Sequence, residues 1–377
     1  VDLGYEPKAC AKLKNDSRDD EFLISRLILL STYGTNIDLP KLIEQHQLAE
    51  SMVAHLSRHA DRLSAQPPAT AAANPMEGMA LDETLKLLFN VTSFAKEHIS
   101  SFDGALPAIA TIISALPLPQ TKTPLDPPFS LLIAPLLNLD LTTPTAQTAL
   151  YPPPEPSRIA SRLLQLLDLS MKCYNDTQIE STVTPLLCAL SVLYEHAPSE
   201  TATTENTTTN ITTTTANPRP TIRAALLPKE EDRKTVLGRA DTLPSRLLRN
   251  WTNPLAPQFR SAVAHLYFDL SGKDAVRFIE NVGYGYASGF LFENNISIPE
   301  GAMQGQQGVA SSGEEGADAD ADAGAGASRG GESAAGMRAV NPITGQFLDE
   351  ERFPELPEMT MEEKEREAER LFVLFER

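Results

Sequence analysis

From residue 81 to 92 the chain reads LDETLKLLFNVT, and Leu85, Leu88, Phe89 and Thr92 fall at i, i+3, i+4 and i+7. That spacing predicts an amphipathic helix with Phe89 on its core face. Lys86, Asn90, Ser93 and Glu97 form a second, polar stripe, within roughly 60° of one another at about 100° per residue. A helix inside a stack buries most of its circumference, so this stripe is expected to face a groove. An asparagine flanked by Leu88, Phe89 and Val91 is either satisfied locally, as a cap on a neighbouring helix or turn, or presented to a partner.

Residues 21–33, EFLISRLILLSTY, are apolar nearly all round, which predicts a helix sandwiched between two neighbours. Arg26 interrupts it. An unpaired buried charge costs several kcal/mol, so Arg26 must reach a carboxylate, a groove or a ligand. Further helices are predicted at 39–63, 104–116, 129–139, 157–173, 178–196, 258–271 and 275–282, with prolines clustered between several of them. The run LLIAPLLNL again sets an asparagine, Asn138, after leucines, 48 residues beyond Asn90. Armadillo and HEAT units run about 40–47 residues. The prediction is an all-α, armadillo/HEAT-type helical-repeat superhelix over residues 1–299, with the Thr-rich stretch 201–217 as a surface insert.

At 377 residues, 41% of them apolar, the chain can bury a sizeable core. Its net charge of -18 argues against nucleic acid or an anionic membrane as the main partner. No apolar run is long enough for an integral membrane segment, and VDLGY at the start is not a leader pattern. Cys10, Cys173 and Cys188 make no CxxC pair and fit free thiols in a reducing compartment. Sequons at Asn15, Asn90, Asn175, Asn206, Asn210, Asn250 and Asn295 would suggest secretion. They are discounted, because the motif is short and Asn90 sits inside a packed helix. His55 and His59 are i, i+4 neighbours, but no third ligand is near them in sequence and no metal is expected. The run GYGYASG at Gly283–Gly289 has the look of a phosphate loop; without a preceding strand it reads as a helix-to-helix turn.

Residues 300–340 are Gly, Ala, Ser, Gln and Asp with few large apolar side chains, which predicts a disordered acidic linker. Within it Ser311 and Ser312 precede Glu314, Glu315, Asp318, Asp320 and Asp322, the pattern of an acid-directed protein kinase site or of a merely solubilising tract. Residues 341–377 open with NPITG and close with a helix predicted from Thr360, where Thr360 and Glu363 form a capping box. Ala368, Leu371, Phe372 and Phe375 give that helix an apolar stripe, to dock on the array or on a partner.

Four segments, DETLKLLFNVT, RFIENVGYGYASG, NPITG and MTMEEKEREA, resemble in sequence and order those of the synembryn family, the resistance-to-inhibitors-of-cholinesterase proteins. The resemblance implies a cytoplasmic folding chaperone and non-receptor guanine nucleotide exchange factor for heterotrimeric G-protein α subunits (Gα), recruited to the plasma membrane through Gα. It implies that the concave face grips the C-terminal helix of Gα, with Arg26, Lys86, Asn90 and Asn138 as contacts, while the C-terminal segment reaches the switch region. GDP would leave because the complex stabilises the nucleotide-free state. Neither a cofactor nor bond-making chemistry is implied. Ser311 and Ser312 fall where family members are phosphorylated, and Ser312 with Glu315 fits the kinase spacing better. Relatives carry further repeats before Arg26 and continue beyond Arg377, so the chain is expected to be a fragment. A passive helical-repeat scaffold, binding an extended peptide without altering nucleotide state, is the alternative.

Overall fold

The computed structural model describes residues 5–34, 37–65, 75–198, 217–298, 340–351 and Arg366. Among the described residues the regular structure is helical, with one isolated bridge between Val340 and Phe347. In chain order the helices are α1 (Glu6–Leu13), α2 (Arg18–Gly34), α3 (Leu39–His46), α4 (Leu48–Ala65), α5 (Pro75–Phe94), α6 (Ala105–Ala115), α7 (Phe129–Ile133) and α8 (Pro144–Leu150). There follow α9 (Arg158–Cys173), α10 (Asp176–Thr182), α11 (Thr184–His196), α12 (Arg219–Leu226), α13 (Leu243–Trp251), α14 (Pro257–Leu270), α15 (Ala275–Val282) and α16 (Tyr284–Glu293).

Several helices end where backbone chemistry forces them to. The helix predicted at 39–63 is two, α3 and α4, because Gln47 turns left-handed at a φ of 56°. The one predicted at 178–196 breaks at Val183, as Pro185 belongs in the first turn of α11, where a missing N–H costs nothing. Pro135 has the same effect on 129–139: α7 stops at Ile133 and the chain tightens into a 3-10 turn, Ala134–Leu137. Gly283, at a φ of 80°, ends α15 one residue before α16 begins. Gly283 is therefore the helix-to-helix turn that the context predicted, whereas residues 284–289, read as part of that turn, are already helical in α16.

The helices step along two layers. In one, α2 lies along α5, α5 against α7 and its 3-10 turn, that turn against α11, and α11 against α14. In the other, α4 packs on α6, α6 on α9, and α9 on α12 and α13. The layers are joined by α4 on α5, α6 on α7, α9 on α11 and α13 on α14. Contact with the next neighbour in chain order is the mark of a helical-repeat stack. One apolar cluster, reaching from Ala9 to Leu291, fills the space between the layers.

Three expectations need correction. The helix at 21–33 is not sandwiched: Leu23, Leu27, Leu30 and Tyr33 of α2 are exposed. Phe89 is not on the core face of α5 either; Leu85, Leu88, Val91 and Thr92 are buried, whereas Phe89 shares the open strip with Lys86 and Ser93. With α2, α4 and α7 all packed on it, α5 has only this strip left over. Glu97 leaves the stripe altogether, in a separate 3-10 helix, Lys96–Phe102. Asn90 and Asn250 are buried, which leaves no room for a glycan at those sequons.

Residues 340–351 lie against the array at the α15–α16 junction. Ser311, Ser312, the acidic stretch up to 339, the Thr-rich insert apart from Asn217, and the predicted C-terminal helix apart from Arg366 lie outside the described residues. Leu88→Ala, at a fully buried position, should lower stability by about 2–5 kcal/mol, and Phe89→Ala by less than half as much. Urea unfolding of the two variants checks the assignment of faces.

Candidate partner-binding face

Helix α2 is inside out. Its buried side carries Glu21, Ser25 and Ser31, together with Ile28 and Leu29. Its solvent side carries Leu23, Leu27, Leu30 and Tyr33, between 42% and 70% exposed. The polar side is held by α4 and α5. Glu21, with no exposure, lies 2.9 Å from His59 Nε2 and 3.3 Å from His55 Nδ1. Thr84 Oγ1 donates to it over 2.8 Å, and Arg58 approaches at 3.5 Å. His55 Nε2 is 2.6 Å from the carbonyl of Leu13, and His59 Nδ1 is 3.0 Å from Glu77.

The i, i+4 histidines thus clasp a carboxylate across helices. Sequence reasoning missed Glu21 and Glu77 as their neighbours because Glu21 is 38 residues away from His59. Among the described residues no group of His, Cys, Asp and Glu is arranged to hold a metal ion. Burial pushes the Glu77 carboxyl up, but the hydrogen bond from Arg62 and the charges of His59, Arg62 and Arg18 outweigh it and hold the pKa below the ordinary value.

Further along the same seam, Ser25 Oγ and Thr84 Oγ1 are 3.3 Å apart, and Asn90 Nδ2 donates to Thr32 Oγ1 over 2.7 Å. Arg26, whose side chain is 55% exposed, meets Glu83 at 3.4 Å and lies 6.0 Å from the centre of the Phe22 ring. Lys86 reaches the same Glu83 oxygen at 2.8 Å. Burial raises the pKa of Asp82, one turn before Lys86, against the pull of that ammonium. Asn138 Nδ2, with two N–H groups to donate, lies within hydrogen-bond reach of Ser93 Oγ (2.8 Å), Thr92 Oγ1 (3.2 Å) and the Phe89 carbonyl (3.2 Å), tying the turn after α7 to the last turn of α5.

The structure therefore gathers the predicted residues on one layer in two pairs. Arg26 and Lys86 share one carboxylate at the rim. Asn90 and Asn138 stitch α5 to its neighbours on either side. What the sequence pattern missed is the apolar surface beside them: Leu27 and Leu30 on α2, Met79, Phe89 and Phe94 on α5, and Leu137 next to Asn138, all exposed. Apolar side chains left exposed on one layer beside Arg26 and Lys86 make this the candidate partner face. Its signal in the sequence was the polar set Glu21, Ser25 and Thr32 at helical spacing, opposite the leucines.

The fold is that of an all-α helical-repeat protein with several large apolar side chains exposed on one layer. The chain belongs to the guanine nucleotide exchange factor synembryn family, whose model matches residues 1–377. It is 30% identical over 154 residues to a synembryn-like chaperone of Schizosaccharomyces pombe, covering 40% of this chain and 26% of that protein. It is 31% identical over 157 residues to chaperone Ric-8A of Mus musculus and of Rattus norvegicus, covering 41% of this chain and 26% of each. The matched stretch thus spans about a quarter of those relatives' length. Among the described residues no helix is long and apolar enough to cross a membrane.

Asn90→Ala and Thr32→Val should each cost about 0.5–1.5 kcal/mol of stability, and the double variant less than their sum, since both remove the Asn90–Thr32 hydrogen bond, Thr32→Val also removing the bond from Thr32 Oγ1 to the Leu29 carbonyl. Because the folded pKa of Glu77 is depressed, its contribution is present above the ordinary carboxylate value of about 4.3 and lost as pH falls below it. Glu77→Gln should flatten the acid limb of a plot of unfolding free energy against pH.

Proposed function

We propose that the chain is a chaperone and guanine nucleotide exchange factor for heterotrimeric G-protein α subunits. The observation that carries this reading is membership of the synembryn family over the whole chain, to which the inside-out α2 adds a place for the partner. An amphipathic helix from Gα would lay its apolar side on the exposed leucines of α2 and the exposed ring of Phe89. Arg26 and Lys86 stand at the edge of that surface. A helix C-terminus carries partial negative charge, so two cations held there by Glu83 favour the C-terminal end of the Gα helix over its N-terminal end.

Exchange on this reading makes and breaks no bond. The chain binds the loosened, nucleotide-free Gα more tightly than the GDP-bound form, and that difference in affinity drives GDP off. A nascent Gα, with its nucleotide site unformed, presents the same loosened state, which joins the chaperone and exchange roles. The proposal places the protein in the cytoplasm and at the plasma membrane when bound to Gα. Ser311 and Ser312, ahead of Glu314 and Glu315, are on this reading substrates of an acid-directed kinase.

GDP release from purified Gα, with and without the chain, tests the proposal. Acceleration is expected, and should vanish with a Gα lacking its C-terminal residues. Leu27→Asp with Leu30→Asp, at exposed positions, should weaken Gα binding by more than about tenfold, the loss expected at a hot spot, with the melting temperature unchanged. Binding without acceleration would identify a passive scaffold.

A further inference from the structure

Two sequence motifs left unused by the partner face, GYG at Gly283–Gly285 and NPITG at Asn341–Gly345, meet in space. The backbone N–H groups of Tyr284 and Gly285, at the start of α16, donate to the carbonyls of Pro342 (2.7 Å) and Ile343 (3.1 Å). Leu237 N donates to Thr344 O (3.2 Å), and Phe347 N to Arg233 O (2.8 Å). Arg233 completes the cleft: its guanidinium donates to Gly345 O (3.0 Å) on one side and to Glu280 O (2.7 Å) and Asn281 O (3.2 Å), the last carbonyls of α15, on the other.

The glycines are where a peptide comes closest. A Cβ on Gly283 or Gly285 would stand 3.0 or 3.1 Å from the Ile343 carbonyl oxygen, and one on Gly345, at a φ of 69°, would overlap Leu237. Within the segment, Asn341 Oδ1 accepts from the N–H groups of Ile343 (2.8 Å) and Thr344 (3.2 Å), and Gly345 N donates to Asn341 O (2.9 Å). The turn is therefore shaped by Asn341, Pro342 and Gly345. Ile343 is 57% exposed and free to vary, while Phe347, 4% exposed, is the apolar anchor.

We propose that the cleft between residues 233–237 and the α15–α16 junction is a peptide-recognition site for an Asn-Pro-x-Thr-Gly turn. Residues 340–351 fill it as a displaceable occupant in cis, and the same turn on another polypeptide can replace them. The donors at the N-terminus of α16, which would otherwise suit a phosphate, serve peptide carbonyls instead. The turn itself is held through its main-chain atoms, with Gln346 Nε2 donating to the Lys234 carbonyl (3.1 Å) and Phe347 buried behind it, so turn shape and these two side chains set specificity rather than the residue at x. This inference does not rest on the proposed exchange activity.

The test uses the full chain and a fluorescent synthetic peptide of residues 340–351, followed by anisotropy. In the unmodified chain the tethered occupant competes at an effective concentration of the order of mM, so the peptide binds weakly. With Asn341→Ala and Gly345→Val disabling the chain's own turn, affinity for the peptide should rise by about tenfold or more. It should vanish for a peptide carrying Asn341→Ala, and for a disabled chain that also carries Arg233→Met. If the disabled chain keeps its helical circular dichroism and melting transition yet binds the peptide no better than a scrambled one, the proposal is overturned. Should that variant fail to fold, a protease site introduced between residues 299 and 339 of the unmodified chain replaces it. After cleavage the labelled peptide should displace the 340–377 fragment, and a fragment that never exchanges overturns the proposal equally.

Discussion

The carboxylate of Glu21 is the constraint on which the N-terminal half of the array depends. It has no contact with solvent, and taking an ion out of water costs several kcal/mol unless every lone pair finds a partner. Its hydrogen-bond partners come from two other helices, Arg58 and His59 from α4 and Thr84 from α5, with His55 Nδ1 3.3 Å away. Such a network has one good geometry, so α2 can sit against α4 and α5 in only one rotation. Apolar packing alone would tolerate several. The seam then continues as a line of polar contacts, through Ser25 and Thr84 to Thr32 and Asn90.

Fixing the polar side of α2 inward turns its leucines outward. Leu23, Leu27 and Leu30 would ordinarily provide the burial that holds a helix in place. Here Ile28 and Leu29 supply the apolar burial beside the ionic network, and the three leucines remain on the surface. A surface on a rotationally locked helix would lose little entropy on binding a partner. The same logic places Arg26 and Lys86, whose shared partner Glu83 keeps both cations at one edge of the surface.

At the opposite end of the chain the same economy recurs with backbone groups. The first N–H groups of α16 and the last carbonyls of α15 have no partners inside their own helices. The NPITG turn supplies acceptors for the first, and Arg233 supplies donors for the second while also holding the turn. A glycine pair and a distant turn are thus two halves of one contact, and neither motif is explained without the other.

Periodicity in the sequence marked the longer helical stretches and the all-α repeat architecture, because hydrophobic spacing and proline placement act over one or two turns. It did not mark α1, α8, α13 or α16, and it ran α3 into α4 and α10 into α11. It did place Arg26, Lys86, Asn90 and Asn138 among polar positions in need of partners. Only the tertiary structure decided which partners. Asn90 found Thr32, and Asn138 found the end of α5, from 58 and at least 45 residues away. His55 and His59 became neighbours of Glu21, and Phe89 passed from core to surface. A helix pattern says that one side differs from the other, but which side is buried depends on what the neighbouring helices offer. For α2 they offered histidines, a threonine and an arginine, so a buried carboxylate prevailed over a row of leucines.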